Sequence, residues 1–500
     1  MTLASLRSRA SLHRLGSRPV LAVASGLALA SGQAPLGLWW LALAGMLGLT
    51  ALVTAAPGRR QAMGIALAAG AAHFALALSW IVEPFLIDMA TYGWMAPFAL
   101  ALISFGLALF WVAAGWFAAR IEGPLRAVAF GGALAAMELA RGYVLTGFPW
   151  ALIGHIWVGT WPAQVASLVG PSGLTLMTTL AAALPVAFRA RGLAASVALL
   201  GSASAFGLWQ LDQPAPPAPG VTLRLVQPNA EQKMKWDPAL AAQHFDRLLT
   251  LTRAGERPDL VIWPETSVPY LLDDSPGLLT EIAAAGGGAP VAIGIQRAEG
   301  WRFWNSLAVV SPTARVEALY DKHHLAPFGE YVPMGDLVFR LFGLRAFAAQ
   351  QGYGYSAGSG PAVLDLGPKL GQVLPVICYE AVFPQDLRVP ARPDWILQIT
   401  NDAWFGTFNG PYQHLAQTRL RAIEQGLPLV RVANTGISAL IDARGRVVDE
   451  LPLGEAGYKD VALPGPLPAT PFSQLGELPV LLALIALCGL LLLPRGRSRA

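Results

Sequence analysis

The sequence predicts a polytopic α-helical membrane domain of eight spans that carries one α/β domain ahead of its last span. Three observations predict it. Of 500 residues, 54% are hydrophobic and 13% charged, with a mean hydropathy of +0.48, whereas a water-soluble domain is about a quarter charged. The charges are also segregated, since of 35 Lys and Arg and 31 Asp and Glu only fifteen precede position 212. Finally, arginines recur in alternate loops between apolar runs. A wholly water-soluble protein is excluded. The net charge of +4 and pI near 9.1 reflect membrane topology, because these arginines sit in short clusters beside apolar runs; nucleic acid is not expected as a partner.

A spanning helix needs about 20 mostly apolar residues. Leu36 to Ala56, Ala62 to Ile81, Met95 to Ala119, Ala163 to Phe188 and Leu193 to Leu211 meet that requirement, with Pro171 and Pro185 expected to kink the fourth of these or mark its ends. Ala127 to Ala140 is shorter and carries Glu138. Pro19 to about Gly32 is short and rich in Ala, Gly and Ser, so a signal-peptide core competes with a span there. Pro479 to Leu493 closes the count, giving seven spans in residues 1–211 and one C-terminal transmembrane helix at 479–493.

Lys and Arg concentrate in cytoplasmic loops. Arg7, Arg9, Arg14 and Arg18 precede the first run, Arg59 and Arg60 follow the second, Arg120 and Arg126 the fourth, Arg189 and Arg191 the sixth, and Arg495, Arg497 and Arg499 the eighth. Only Arg141 breaks the alternation. The pattern predicts cytoplasmic termini and puts residues 212–478 on the far side. Glu138 and Arg141 stand at a helical i, i+3 spacing that suits an ion pair, structural in preference to catalytic, and His73 reads as a packed or hydrogen-bonded core histidine. The Trp- and Tyr-rich loop Gly142 to Trp161 suits a membrane interface.

A Pro-rich linker at 212–220 is stiff and extended, and the texture then changes. Short β-rich runs recur at Val221 to Val226, Leu260 to Trp263, Val291 to Ile295, Leu307 to Val310, Val373 to Cys378, Trp395 to Thr400, Leu429 to Val432 and Ser438 to Ile441. Helical stretches at Asp237 to Ala254, Gly277 to Ala285 and Tyr412 to Gln425 separate some of them. The alternation predicts an α/β domain at 221–470, long enough to bury one large core.

Three strand ends in that domain carry reactive residues: Glu265 in WPE, Lys322 in YDK and Cys378 in ICYE. Singly, each has a plain explanation, for a lone cysteine in an apolar run is most often an inert core thiol. Together they form a working set. A thiol needs a base to take its proton and a nearby cation to favour the thiolate, and that cation also faces the oxyanion formed when a carbonyl is attacked. Cys378 and Cys488 offer no disulfide framework, and no Cys/His cluster suggests a metal site.

These residues resemble the carbon-nitrogen hydrolase (nitrilase) superfamily, with Glu265 in WPE, Lys322 in YDKHHLAPFGEYVP and Cys378 in ICYE. A nitrilase-like domain inserted before the last of eight spans is similar, within that superfamily, to the apolipoprotein N-acyltransferase family of the Gram-negative inner membrane. That resemblance extends to ELARGYVLTGFPW, to Gln227 through Trp236 and to Thr400 through Gly406. It implies an αββα sandwich outside the cytoplasm and a two-step acyl transfer, without a cofactor, from a phospholipid donor to the N-terminal S-diacylglyceryl cysteine of an apolipoprotein. It further implies Glu265 as general base, Lys322 as oxyanion cation and Cys378 as nucleophile, supported by Glu330, Tyr379 and Glu380, with Trp236 touching substrate. Lipid substrates leave a bilayer at a cost of roughly 0.8 kcal/mol per buried methylene, so an active domain working on them gains from being tethered.

Alternatives stay open on the residues themselves. A membrane-tethered carbon-nitrogen hydrolase or amidase would use the same triad with water as acceptor. A transporter would need paired charges and broken helices near the midplane, and a Cys-His protease using His323, His324 or His414 leaves Glu265 and Lys322 unexplained. Phe339 to Tyr355, apolar and glycine-hinged, reads as a mobile lid or membrane-dipping arm, against an ordinary surface loop.

Overall fold

The computed structural model describes residues 18–232, 238–274, 276–333 and 354–493. The chain divides into two compact units. Met1–Val82, Tyr92–Asp212 and Leu475–Ala500 make a helical unit, and Glu83–Thr91 with Gln213–Gln474 an α/β unit.

The helical unit is built from Arg18–Ala30, Trp39–Thr54, Arg59–Ala77, Ala96–Ala118, Leu125–Arg141, Ala166–Asp212 and Leu478–Leu492. The 47-residue helix is interrupted at Gly170, just before Pro171, and at Arg189, whose φ of 54° and ψ of −128° are not helical; a residue before proline is disfavoured in the α region. Pro185 lacks an N–H, which deprives the Ala181 carbonyl of its intrahelical donor. Ser196 Oγ donates to that carbonyl instead, at 2.7 Å, and ties the two limbs together. Gly192 lets the limbs approach, since a Cβ there would lie 1.8 Å from the Leu184 carbonyl oxygen. The closing helix packs Val480 and Leu484 beside Ala135, and Leu487 beside Ala127 and Ala183.

Among the described residues, two helices can cross a membrane by length and composition, Met89–Ala118 and Trp161–Asp212, or three if Arg59–Ala77 and Ser79–Ile87, bent by 63°, count as one span. That falls short of the eight spans expected. Arg18–Ala30, Trp39–Thr54 and Leu478–Leu492 are apolar yet short, Leu125–Arg141 is 17 residues long and carries Arg126, Glu138 and Arg141, and the two limbs about Arg189 run on as one element. The buried ion pair of this unit finds its partners within it, as hydrocarbon demands. Arg141 and Glu138 pair at 2.6 Å, both 1% exposed, Trp111 Nε1 donates to Glu138 at 2.8 Å, and Arg141 also donates to the Phe148 and Trp150 carbonyls. His73 Nε2 lies 3.3 Å from the Ala151 carbonyl and its ring stacks on Trp111.

The α/β unit holds two six-stranded sheets, ordered β12-β1-β2-β3-β4-β5 and β11-β10-β9-β8-β7-β6. The first comprises β1 (Thr222–Gln227), β2 (Leu260–Ile262), β3 (Val291–Glu299), β4 (Arg302–Val310), β5 (Val316–Asp321) and β12 (Gly457–Ala462). The second comprises β6 (Leu364–Asp365), β7 (Gln372–Ile377), β8 (Trp395–Thr400), β9 (Leu429–Ala433), β10 (Ser438–Ile441) and β11 (Val447–Leu451). Alternate residues of both sheets, among them Leu223, Ile262, Leu307, Val373, Leu397 and Val432, form the core between them. Helices Pro238–Arg253 and Pro276–Gly286 cover the outer face of the first sheet through Phe245, Leu248 and Ile282; helix Gly410–Gln425 covers the second through Leu415 and Ala422. The layers run αββα, as the resemblance implies.

Strands β6, β11 and β12 went unread in the sequence, and of β5 only the end at Tyr320-Asp321 was read. Segments such as VVDEL and GYKDVA are half exposed and charged, so they lack the apolar runs that mark interior strands. The parallel strands β1-β2-β3 and β7-β8-β9 bring their carboxyl ends into play, where open α/β sheets assemble their sites.

Candidate active site

Cys378 follows the last residue of β7 and begins a 3-10 turn, Cys378–Val382. Its φ is 52°, a left-handed conformation that costs a side-chain-bearing residue about 1–3 kcal/mol. Thr266, next to Glu265, has φ 43°, and Phe328, two residues before Glu330, has φ 64°; unfavourable backbone of this kind persists where the surroundings over-determine it. Two side-chain nitrogens converge on the Cys378 carbonyl, Gln398 Nε2 at 3.3 Å and His414 Nε2 at 3.1 Å. Burial pushes the thiol pKa above its usual range; Glu265 adds to that and Lys322 opposes it. The resting thiol is therefore protonated and needs a base.

Glu265 follows Trp263 and Pro264 at the end of β2 and is buried. Its Oε2 accepts the Asn401 backbone N–H at 2.8 Å, and its Oε1 accepts Asn305 Nδ2 at 2.7 Å with Lys322 Nζ at 3.5 Å. Lys322 extends β5 by one residue, its N–H bonded to the Asn305 carbonyl. Its Nζ, 1% exposed, reaches Glu330 Oε1 at 2.9 Å. Burial alone would lower its pKa, but Glu330 and then Glu265 more than offset that and hold the ammonium above the usual lysine range. Glu330 Oε1 also accepts Asn305 Nδ2 at 3.1 Å, and its Oε2 the Ala326 N–H at 2.8 Å. A single buried cation is thus shared by two carboxylates and coupled to the thiol.

Glu380, fully buried, works as a clamp. Its Oε2 accepts the Ile377 N–H at 2.6 Å and its Oε1 the Tyr320 hydroxyl at 2.9 Å, with the His323 and His324 N–H groups at 2.8 and 3.2 Å. The carboxylate joins the strand before the nucleophile to the segment after Lys322. Tyr379 is buried, with ring contacts to Phe383 and His324. No metal-ligand cluster was expected, yet the fold gathers ligand-type atoms of His323, His324 and Asp386 within 4.8 Å of one another. The third lies 62 residues from the second, out of reach of any sequence pattern. These atoms bond each other: Asp386 meets His324 Nδ1 at 2.7 Å and His323 Nε2 at 3.5 Å.

Glu265, Lys322, Cys378, Glu330, Tyr379 and Glu380 therefore share one neighbourhood. Trp236 lies outside the described residues, as do 339–353 of the expected arm; Tyr355, at its end, is described and accepts from Gln296 Nε2 through its hydroxyl while its N–H bonds the Glu330 carbonyl. Sequence reasoning missed Asn305, whose only signal was one amide in the apolar strand RFWNSLAVV. It named His414 only for a Cys-His protease and did not join it to Asp402 and Arg431, the three being spread over a helix, the turn after β8 and β9.

A family model described as carbon-nitrogen hydrolase matches residues 222–464, and one described as apolipoprotein N-acyltransferase N-terminal domain matches residues 25–184. Proteins named apolipoprotein N-acyltransferase are similar across most of the chain. That of Caulobacter vibrioides is 39% identical, covering 95% of this chain and 94% of its own. That of Sinorhizobium medicae is 38% identical over 82% and 81%, and that of Rhodopseudomonas palustris 36% over 88% of each. Among solved structures, a CN-hydrolase superfamily protein from Xanthomonas campestris is similar at 22% identity and a TM-score of 0.35, covering 48% of this chain and 90% of that one. With identity of this extent along both units, the chain belongs to the apolipoprotein N-acyltransferase family.

Proposed function

We propose that this protein moves an acyl chain from a membrane phospholipid to the α-amino group of the S-diacylglyceryl cysteine at an apolipoprotein N-terminus, through a thioester on Cys378. The observation that carries the reading is a buried cysteine coupled to a Glu265–Lys322 pair, in a chain 39% identical over 95% of its length to a protein named for that transfer. Glu265 takes the thiol proton as sulfur attacks the phospholipid ester carbonyl. Lys322, with the N–H that follows Cys378, stabilises the oxyanion. The lysophospholipid alkoxide leaves with the proton from Glu265. The acceptor amine then attacks the thioester, Glu265 removes its proton, and the amide departs as the thiol is restored. Glu330 and Asn305 hold the cation and the base in register, Glu380 and Tyr379 hold the turn of the nucleophile, and Trp236 touches substrate.

The membrane domain is read as eight spans in the inner membrane of a Gram-negative cell, with 212–478 periplasmic and the termini cytoplasmic. The arginine clusters support this, as do the two limbs about Arg189 and the packing of Leu478–Leu492 on Leu125–Arg141. Reporter fusions near Gly360 should score periplasmic; a cytoplasmic score there overturns the topology.

The decisive experiment separates transferase from hydrolase. Purified protein given phospholipid and no acceptor should accumulate an acyl group on Cys378 that hydroxylamine removes. A diacylated lipopeptide with a free amine should discharge it to an amide, and one with a blocked amine should not. Rapid release as free fatty acid, indifferent to the amine, would establish the hydrolase instead.

A further inference from the structure

Beneath the nucleophile lies a polar set with no part in the acyl-transfer steps. His414, on helix Gly410–Gln425, has no exposed surface, and neither do Asp402, Arg431, Gln398 or Thr418. Asp402 opens the turn after β8. It accepts Thr400 Oγ1 at 2.9 Å, faces His414 Nδ1 at 2.9 Å through Oδ1 and takes Arg431 through Oδ2. Arg431 also donates to the Ile437 carbonyl at 3.1 Å and approaches His414 Nδ1 at 3.3 Å. The other ring nitrogen points at the active site, 3.1 Å from the Cys378 carbonyl. Carbonyl and carboxylate oxygens only accept, so a proton on Nε2 donates to Cys378 and one on Nδ1 to Asp402, and Gln398 Nε2 lies 3.2 Å from the same Nε2.

Burying so many polar groups costs free energy unless each is satisfied, and a structural network would be satisfied without reaching the nucleophile. This one ends on the carbonyl of the residue whose φ is left-handed. It also starts from the turn whose preceding residue, Asn401, donates its N–H to Glu265 Oε2. One dipeptide, Asn401-Asp402, thereby grips the base directly and the nucleophile through His414. We infer that His414, oriented by Asp402 and Arg431, is a positioning residue that holds the Cys378 backbone in its left-handed conformation and so aims the thiol at the substrate carbonyl and at Glu265. The inference rests on the reading of Cys378 as nucleophile. Gln398, the second donor to the same carbonyl, shares the task.

Two amide substitutions divide the two ends of the ring. His414→Gln carries its amide nitrogen to the place of Nε2 and can still donate to the Cys378 carbonyl. His414→Asn carries it only to the place of Nδ1 and cannot. Both bury one amide, so both disturb the fold alike. In full-length protein carrying Cys488→Ala, the readouts are acylation of Cys378 by phospholipid, kcat and KM for a diacylated lipopeptide, alkylation of Cys378 by iodoacetamide, and thermal stability. His414→Asn should slow Cys378 acylation and lower kcat by about tenfold or more, the worth of one hydrogen bond, with KM within about twofold. His414→Gln should recover most of that loss at the same thermal stability. Equal activity in the two variants, whether both normal or both impaired, overturns the inference. Wild-type protein that iodoacetamide alkylates at Cys378 but phospholipid never acylates there shows instead that the nucleophile reading has failed.

Discussion

Two buried acid-base clusters, one from each unit, are built on opposite plans. In the helical unit, Glu138 and Arg141 stand one turn apart on a single helix and saturate each other, with Trp111 and two carbonyls taking what remains. In the α/β unit, Glu265, Lys322 and Glu330 come from separate strand ends and loops, and one ammonium is shared between two carboxylates and a thiol. The first cluster has closed its charge; the second divides one cation between two carboxylates and keeps a base with a proton still to take. Closure marks a structural pair, and shared charge beside a nucleophile marks a site.

Substitutions sharpen that contrast. The largest effect belongs to the nucleophile: Cys378→Ala and Cys378→Ser should abolish turnover while the protein folds and inserts, measured by acyl transfer alongside thermal stability, and Cys488→Ala should be silent. Residual transfer by Cys378→Ala would remove the thioester from the scheme. Next, Glu265→Gln and Lys322→Met should each lower kcat by about two orders of magnitude or more, the usual scale for a general base or an oxyanion donor. Near-normal rates in either variant would take that residue out of the mechanism.

The membrane pair should respond in the other currency. Glu138→Gln leaves Arg141 buried without its anion, which costs about 3–5 kcal/mol for a broken buried pair. The melting temperature in detergent should fall sharply while the folded fraction retains its kcat. Loss of kcat at unchanged stability would make this cluster functional and erase the distinction. The comparison also explains what could be read from sequence. Glu138 and Arg141 are three residues apart, so helical periodicity alone pairs them. Glu265, Lys322 and Cys378 each sit at a strand end and were visible as a chemically complementary set, but nothing local encodes which strand ends meet. Asn305 and the set of Asp402, His414 and Arg431 stayed hidden for the same reason. Their partners lie far away in sequence, and a single polar residue inside an apolar strand does not announce its bond. The span count is not confirmed for a different reason, since short apolar helices satisfy the composition of a span without its length.

The smallest expected effect tests a titrating group between these extremes. His323 is half-buried beside Lys322. Its Nδ1 meets Glu380 Oε1 at 2.7 Å and the Tyr320 hydroxyl at 2.8 Å, its Nε2 faces Asp386 at 3.5 Å, and the His324 ring is its other ionisable neighbour. Burial opposes its charge, but Asp386 and then Glu380 outweigh that and raise its pKa from the ordinary 6.5 to about 9. A group whose folded pKa lies above its unfolded value binds its proton more tightly when folded. The stabilisation is therefore complete below pH 6.5 and disappears as pH rises through 9. Wild-type protein should lose a few degrees of melting temperature between those values beyond any change in His323→Gln, which cannot titrate. The two melting curves should converge above pH 9, where the wild-type imidazole is neutral. Curves that stay parallel from pH 6 to 10 would mean that His323 is already neutral in the folded protein, and that Glu380 clamps the nucleophile turn through Tyr320 and the backbone N–H groups alone.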